Sequence, residues 1–164
     1  MQHNSQLKAI ARRVEKKIKS DLENFLDKDR EGYEKFFENF GRGMKYGLYT
    51  SYGTAKDVLG DLLLFYSAKQ KKMITFKEYV KAAADGQETI YSVERMAQLP
   101  IVTTVLAKGY DVLLCPEDVD EFCMMAMSDY AVPDAADPDS LTAWPLKNVG
   151  GENLGLESDE EKKE

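Results

Sequence analysis

Tyr110 to Met127 reads YDVLLCPEDVDEFCMMAM, and how it is read decides the fold. Val112 to Cys115 is a short apolar run that Pro116 ends, because proline has no N–H to give a sheet ladder. Glu117, Asp118 and Asp120 follow in what would be the first turn of a helix, where acid suits the helix dipole. An apolar run closed by a breaker and followed by an amphipathic helix is one strand–turn–helix step of an α/β sheet.

That helix carries more apolar residues than one face requires. At about 100° per residue, Val119, Cys123, Ala126 and Met127 share one side. Phe122 lies at the edge of this arc, Met125 further round beside Asp118 and Asp129, and Met124 on yet another side. One reading buries the helix on two sides of a three-layer domain. The other leaves Phe122 and Met125 as a partly exposed, adaptable patch. Asp118, Glu121 and Asp129 around them favour the second, since full burial would strand carboxylates in an apolar setting.

Working outward, Thr89 to Val93 (TIYSV) is a second β-rich run. Pro100 and Lys108–Gly109 bracket a helix through Ile101 to Ala107. Thr75 and Glu78 form a capping box ahead of Phe76, Tyr79, Val80 and Ala83. The alternation of strand and helix predicts parallel pairing with right-handed crossovers. Leu62 to Tyr66 is continuously apolar and reads as strand or buried helix. Lys69 to Lys72 reads as an exposed basic loop. Val132 to Ser140, with two prolines, reads as a loop before a last strand within Leu141 to Val149.

The first third is different in kind. Leu7, Ile10, Val14, Ile18, Leu22, Phe25 and Leu26 recur at helical steps. After a polar break, Tyr33, Phe36, Phe37, Phe40, Met44 and Leu48 do the same. Gly41, Gly43 and Gly47 are costly inside a helix, about 1 kcal/mol each relative to alanine, and suggest close packing or a bend. The predicted fold class is α/β: a three-layer α-β-α unit with a short, mostly parallel sheet, preceded by a pair of long amphipathic helices. The boundaries are 1–54 for the helical linking segment, 55–150 for the small α/β unit, and 151–164 for an acidic flexible tail or linker.

The chain has 164 residues and a net charge of −7, with 43% hydrophobic residues, enough for a real core. The charge is uneven. Lys8 to Lys19 holds six basic residues against Glu15, so this segment is +5 and the remainder −12. Such a chain is a poor general binder of nucleic acid. It has no run long enough to span a membrane and no charged-then-apolar leader. Cys115 and Cys123 form no disulfide framework, which fits a reducing, cytoplasmic setting. No metal site is expected, with His3 the single histidine and no CxxC pair. Neither GxGxxG nor GxxxxGK[ST] is present, nor a GxSxG serine. From residues alone this is an α/β domain with a helical preface and no visible active site.

Four stretches taken in order resemble a known family. YEKFFENFGRGMKYGLYTS, LLLFYS, TFKEYVKAAADGQETIYSV and GYDVLLCPEDVDEF follow the middle domain of the heat-shock protein 90 chaperones, in their bacterial form, over about Met1 to Met127. Departures fall at Leu64, at Ser92 to Glu94 and across Ala131 to Ala143. The resemblance implies a fragment of an ATP-dependent dimeric chaperone. Its partners would be unfolded or partly folded clients, an N-terminal nucleotide domain and a C-terminal dimerisation domain. ATP and magnesium would belong to the full-length protein, with no cofactor in this piece. Gln2 would fall at a glutamine that supports a catalytic arginine, and that arginine would lie upstream of Met1. Glu121, Phe122 and Met125 are the candidate client-binding residues. The alternative is a small cytosolic α/β ligand-binding or enzyme domain, its site outside the strand carboxyl ends near Val93 and Cys115.

Overall fold

A computed structural model describes the backbone of residues 2–93, 99–134 and 136–149, and side chains over 5–93, 100–134 and 136–149. The predicted tail, 151–164, lies outside the described residues. Two helices open the chain, α1 (Gln2–Lys28) and α2 (Arg30–Thr50). Asp29 separates them by capping α2, its carboxylate accepting from the Gly32 N–H at 3.0 Å. Phe25, Tyr33 and Phe36 lock the two helices where they meet, with ring centroids 5.6–6.0 Å apart.

Beyond a short α3 (Lys56–Leu59), the chain forms β1 (Phe65–Ser67), β2 (Lys72–Ile74), α4 (Phe76–Lys81), β3 (Ile90–Val93), α5 (Leu99–Ala107), β4 (Val112–Leu114), α6 (Asp118–Met127), β5 (Asp129–Pro133) and β6 (Leu141–Asn148). One sheet results, in the order β2-β1-β4-β3-β6-β5. Its centre is parallel: β3 pairs with β4 on one side and with β6 on the other. Both flanks are antiparallel, through β1 with β2 and β4, and through β5 with β6. The parallel pairing read from the sequence is therefore confined to the central strands β4, β3 and β6. The hairpins β1–β2 and β5–β6 pair antiparallel by construction, and β1 also runs antiparallel to β4.

The side chains of β3 and β4 alternate between two apolar clusters. Ile90, Leu113 and Cys115 join Cys123, Met124 and Met127 of α6 together with residues of α2 and α4. Tyr91, Val93 and Val112 join Val102 and Val105 of α5 on the other face. Three layers follow from this period-two alternation.

Two loops differ from their reading. Lys72 lies within β2 rather than in a basic loop, and Ala68–Lys71 form the hairpin turn. Buried Ser67 and Asp111 hold that turn, accepting from the Gln70 and Lys69 N–H groups at 2.9 and 3.0 Å. Val132 and Pro133 belong to β5, so the proline-containing stretch begins as strand. Pro133 is tolerated because β5 is an edge strand with one side free of ladder bonds. The capping box at Thr75 and Glu78 is present as read. Of Gly41, Gly43 and Gly47, the three glycines in the second half of α2, only Gly41 is packed closely, a Cβ there falling 2.6 Å from the Phe37 ring. α2 runs unbroken past all three.

Candidate functional site

The site grows from α6 and its fastening to α2. Glu117 precedes the helix in extended conformation, and its N–H donates to Asp120 Oδ2 at 3.1 Å. The other Asp120 oxygen accepts from Lys45 Nζ of α2, and both residues are buried, at 4% and 8% exposure. The Lys45 ammonium also sits 4.4 Å from the Phe65 ring centroid and 5.3 Å from that of Phe37. Further out, Arg42 Nε donates to Glu117 Oε2 at 2.9 Å. This hydrogen bond holds the Glu117 carboxyl below its usual range and raises the Arg42 guanidinium. The sequence reading of these acids as first-turn partners of the helix dipole holds for exposed Asp118 and for Glu117, which is also paired with Arg42. It is corrected for Asp120, which is a buried ion-pair partner.

α6 buries Cys123 and Met127 as its pattern predicts, and Met124 with them, which the pattern did not assign to the core. Burial pushes the Cys123 thiol up to about 12, so it is an inert packing group and not a nucleophile. Phe122 and Met125 stay at the surface, 38% and 67% exposed. Phe122 stacks on Tyr49 of α2, with centroids 4.9 Å apart and an interplanar angle of 25°. Glu121 is half-buried beside them. Sequence reading had no means of finding Tyr49, since only the α2–α6 packing brings it there.

Met125 also borders a cavity of about 370 Å³ at the carboxyl ends of the parallel strands. Ser92 of β3, Cys115 after β4, and Leu146 and Asn148 of β6 supply its sheet side. Glu121, Met124, Met125 and Ser128 supply its helix side. The strand ends are in register: Cys115 N–H donates to Val93 O at 2.9 Å, and Val149 N–H to Ser92 O at 2.8 Å. The crossover through α5 carries the chain from β3 to β4 on one side, and the crossover through α6 carries it from β4 back past β3 to β5 and β6 on the other, which opens a crevice at the switch point of the sheet. Cys115 lies where the strand-end reading looked, whereas Val93 points into the opposite cluster. β6 could not be placed from sequence because nothing local says which strand it joins. Gln2 lies in α1, far along the chain from α6, and its side chain is outside the described residues.

The family model described as "Hsp90 protein" matches residues 1–164. The chaperone protein HtpG of Clostridium botulinum strain Langeland is 43% identical over 165 residues, covering 98% of this chain and 25% of that protein. HtpG of Clostridium perfringens strain ATCC 13124 is 43% identical over 168 residues, covering 99% of this chain and 25% of that protein. Thus the chain spans about a quarter of the length of the curated relatives it matches. Among solved structures, the middle domain of a Plasmodium falciparum heat shock protein superposes with a TM-score of 0.71 at 21% identity, covering 88% of this chain and 57% of that one. That likeness shows the fold, and none of these similarities points to the alternative of a small enzyme or ligand-binding domain. The motif order, the fold and the match along the whole chain agree: this chain belongs to the Hsp90 protein family of chaperones and has the fold of that family's middle domain.

Proposed function

We propose that this chain is the client-binding middle segment of an ATP-dependent, homodimeric cytoplasmic chaperone. It binds unfolded or partly folded proteins and relays the nucleotide state between the other domains. In this reading α1 and α2 form the link, 55–150 the small α/β unit, and 151–164 a linker toward a C-terminal dimerisation domain. ATP and magnesium bind in the N-terminal nucleotide domain of the whole protein. Gln2, at the start of α1, supports an arginine supplied from upstream.

The observation that carries the client-binding part is the exposed Phe122–Met125 pair on a helix whose core demand is met by other residues. Large apolar groups beside Glu121 and Asp118 can take many sequences weakly, and methionine adapts its shape to each. The stacked Tyr49 holds the Phe122 ring in place, so little rotamer freedom is lost on contact.

Anisotropy of fluorescently labelled, reduced and alkylated lysozyme, a basic chain that stays unfolded, tests this. Binding to the full chain should weaken at least about fivefold in the double variant Phe122→Ala, Met125→Ala, roughly 1 kcal/mol by the affinity relation. An unchanged affinity in a folded double variant would remove α6 from the client surface.

A further inference from the structure

Resting on the reading of α6 as a client surface, we propose that the exposed aromatic row beside it selects proline-containing client segments in the polyproline II conformation. The segment carries a lysine or arginine at the end that meets Glu38 and Asp118.

The row crosses from one helix to the other. α2 and α6 run side by side in the same direction, since Arg42 meets Glu117, Lys45 meets Asp120, Tyr49 meets Phe122, and Gly53 lies against the Ala126 carbonyl. Tyr46, Tyr49 and Phe122 follow one another with ring centroids 6.3 and 4.9 Å apart, and all three rings are exposed. Tyr52 stands just beyond α2, 94% exposed and at φ 55, in the left-handed region that a bulky residue adopts at a cost. Such a ring adds almost no buried area to the fold.

The hydroxyls decide the class of occupant. Among the described residues, the side-chain hydroxyls of Tyr46, Tyr49 and Tyr52 make no hydrogen bond. Aromatic faces beside free donors suit a polyproline II helix, whose carbonyls have no internal partner. One turn of that helix, three residues at ~3.1 Å, is roughly 9 Å long, comparable with the two ring steps from Tyr46 to Phe122. An α-helix would offer no free carbonyls along its length, and a β-strand finds no sheet edge on two helices. Proline also fixes the backbone in advance, so less entropy is lost than with a flexible apolar segment.

Charge sets the direction. At the amino-terminal ends of the paired stretch, Arg42 is bound to Glu117, whereas Glu38 and Asp118 make no ion pair or hydrogen bond. Among the described residues that end has a surplus of carboxylate. It attracts a basic residue at one end of the segment and repels an acidic one. A sequence preference is thus added to a surface that is otherwise tolerant.

The test uses the full chain with 13C-labelled tyrosine rings and three short peptides. The first has proline at two of every three positions and two arginines at one end. The second has glycine and serine in place of the prolines, and the third has glutamates in place of the arginines. The first peptide should shift the Tyr46, Tyr49 and Tyr52 ring resonances saturably. Its affinity should exceed the second's at least about fivefold and, at low salt, the third's at least about threefold. Tyr46→Phe with Tyr52→Phe keeps both rings and removes two donors, and it should weaken the first peptide about threefold. Glu38→Gln with Asp118→Asn should abolish the preference for the first peptide over the third. Equal affinity for the first and second peptides, no saturable shift, or full affinity in the Tyr→Phe variant would overturn the proposal. So would the same shifts on concentrating the chain alone, which would make a second copy the occupant. Loss of unfolded-lysozyme binding in the Phe122→Ala, Met125→Ala variant, with no preference for proline in the original chain, would leave the client surface standing and remove only the polyproline II selection.

Discussion

At the residue scale, burial separates side chains that the sequence pattern lists together. Phe122 keeps 38% of its surface exposed and gives up a ring stack with partial burial, so Phe122→Ala should cost about 1–2 kcal/mol of unfolding free energy. A core phenylalanine would cost about 3–5 kcal/mol, and urea unfolding of the variant distinguishes the two. Lys45 and Asp120 should behave in the opposite way. Lys45→Met leaves a buried carboxylate without its ion partner and is expected to lose about 3–5 kcal/mol. Adding Asp120→Asn to it should recover a part, which a double-mutant cycle would measure. Buried hydroxyl and thiol groups set the alkaline limit. Burial raises Tyr33 from 10.0 to about 12 and Cys123 from 9.0 to about 12, and it raises Tyr79 and Tyr130 as well. The folded state holds these protons more tightly than the unfolded chain does. Their contribution is therefore intact below pH 9.0 and is lost as pH rises from there through about 12. The urea midpoint should be flat between about pH 7 and 8.5 and fall steeply above about pH 10; a midpoint constant to pH 11 would contradict it.

At the element scale, α1 is two helices in physical terms. Its second half is anchored: Leu22 and Leu26 pack on the main cluster, and Lys19 Nζ donates to Asp57 O at 2.5 Å. In its first half, Leu7, Ile10, Val14 and Ile18 are 49–61% exposed. No acid stands in its first turn, and Lys8, Arg12 and Arg13 oppose the dipole. Amide hydrogen exchange should be faster at Leu7 to Ile10 than at Val14 to Leu22, and equal protection across both would count against this. α6 shows the contrasting case. Its first turn is fixed by Arg42, Lys45 and its own cap. Its last turn is closed by Gly53 at φ +80, where a Cβ would stand 2.5 Å from the Ala126 carbonyl oxygen. A glycine after α2 is thus required by a helix more than seventy residues later.

At the scale of the whole molecule, the chain has no glycine-rich phosphate loop, and it is expected to bind ATP weakly or not at all and to turn none over. Calorimetric titration showing micromolar binding with turnover would refute that. The helical preface, the strand–helix alternation, the Thr75 cap and the surface position of Phe122 and Met125 were legible in the sequence. Each is set by local period, capping chemistry or the charge of near neighbours, and all of these act within a few residues. The family, too, was legible, because motif order survives where individual contacts change. Tertiary structure alone decided the rest. Lys45 and Asp120 are 75 residues apart, and neither pattern marks its partner. Strand pairing at the flanks, and the seat of β6 beside β3, depend on which hairpin reaches which edge. The crevice exists only because three strands end in register under α6. Local sequence determines what each segment can be, and burial of the whole chain determines which distant groups must satisfy one another.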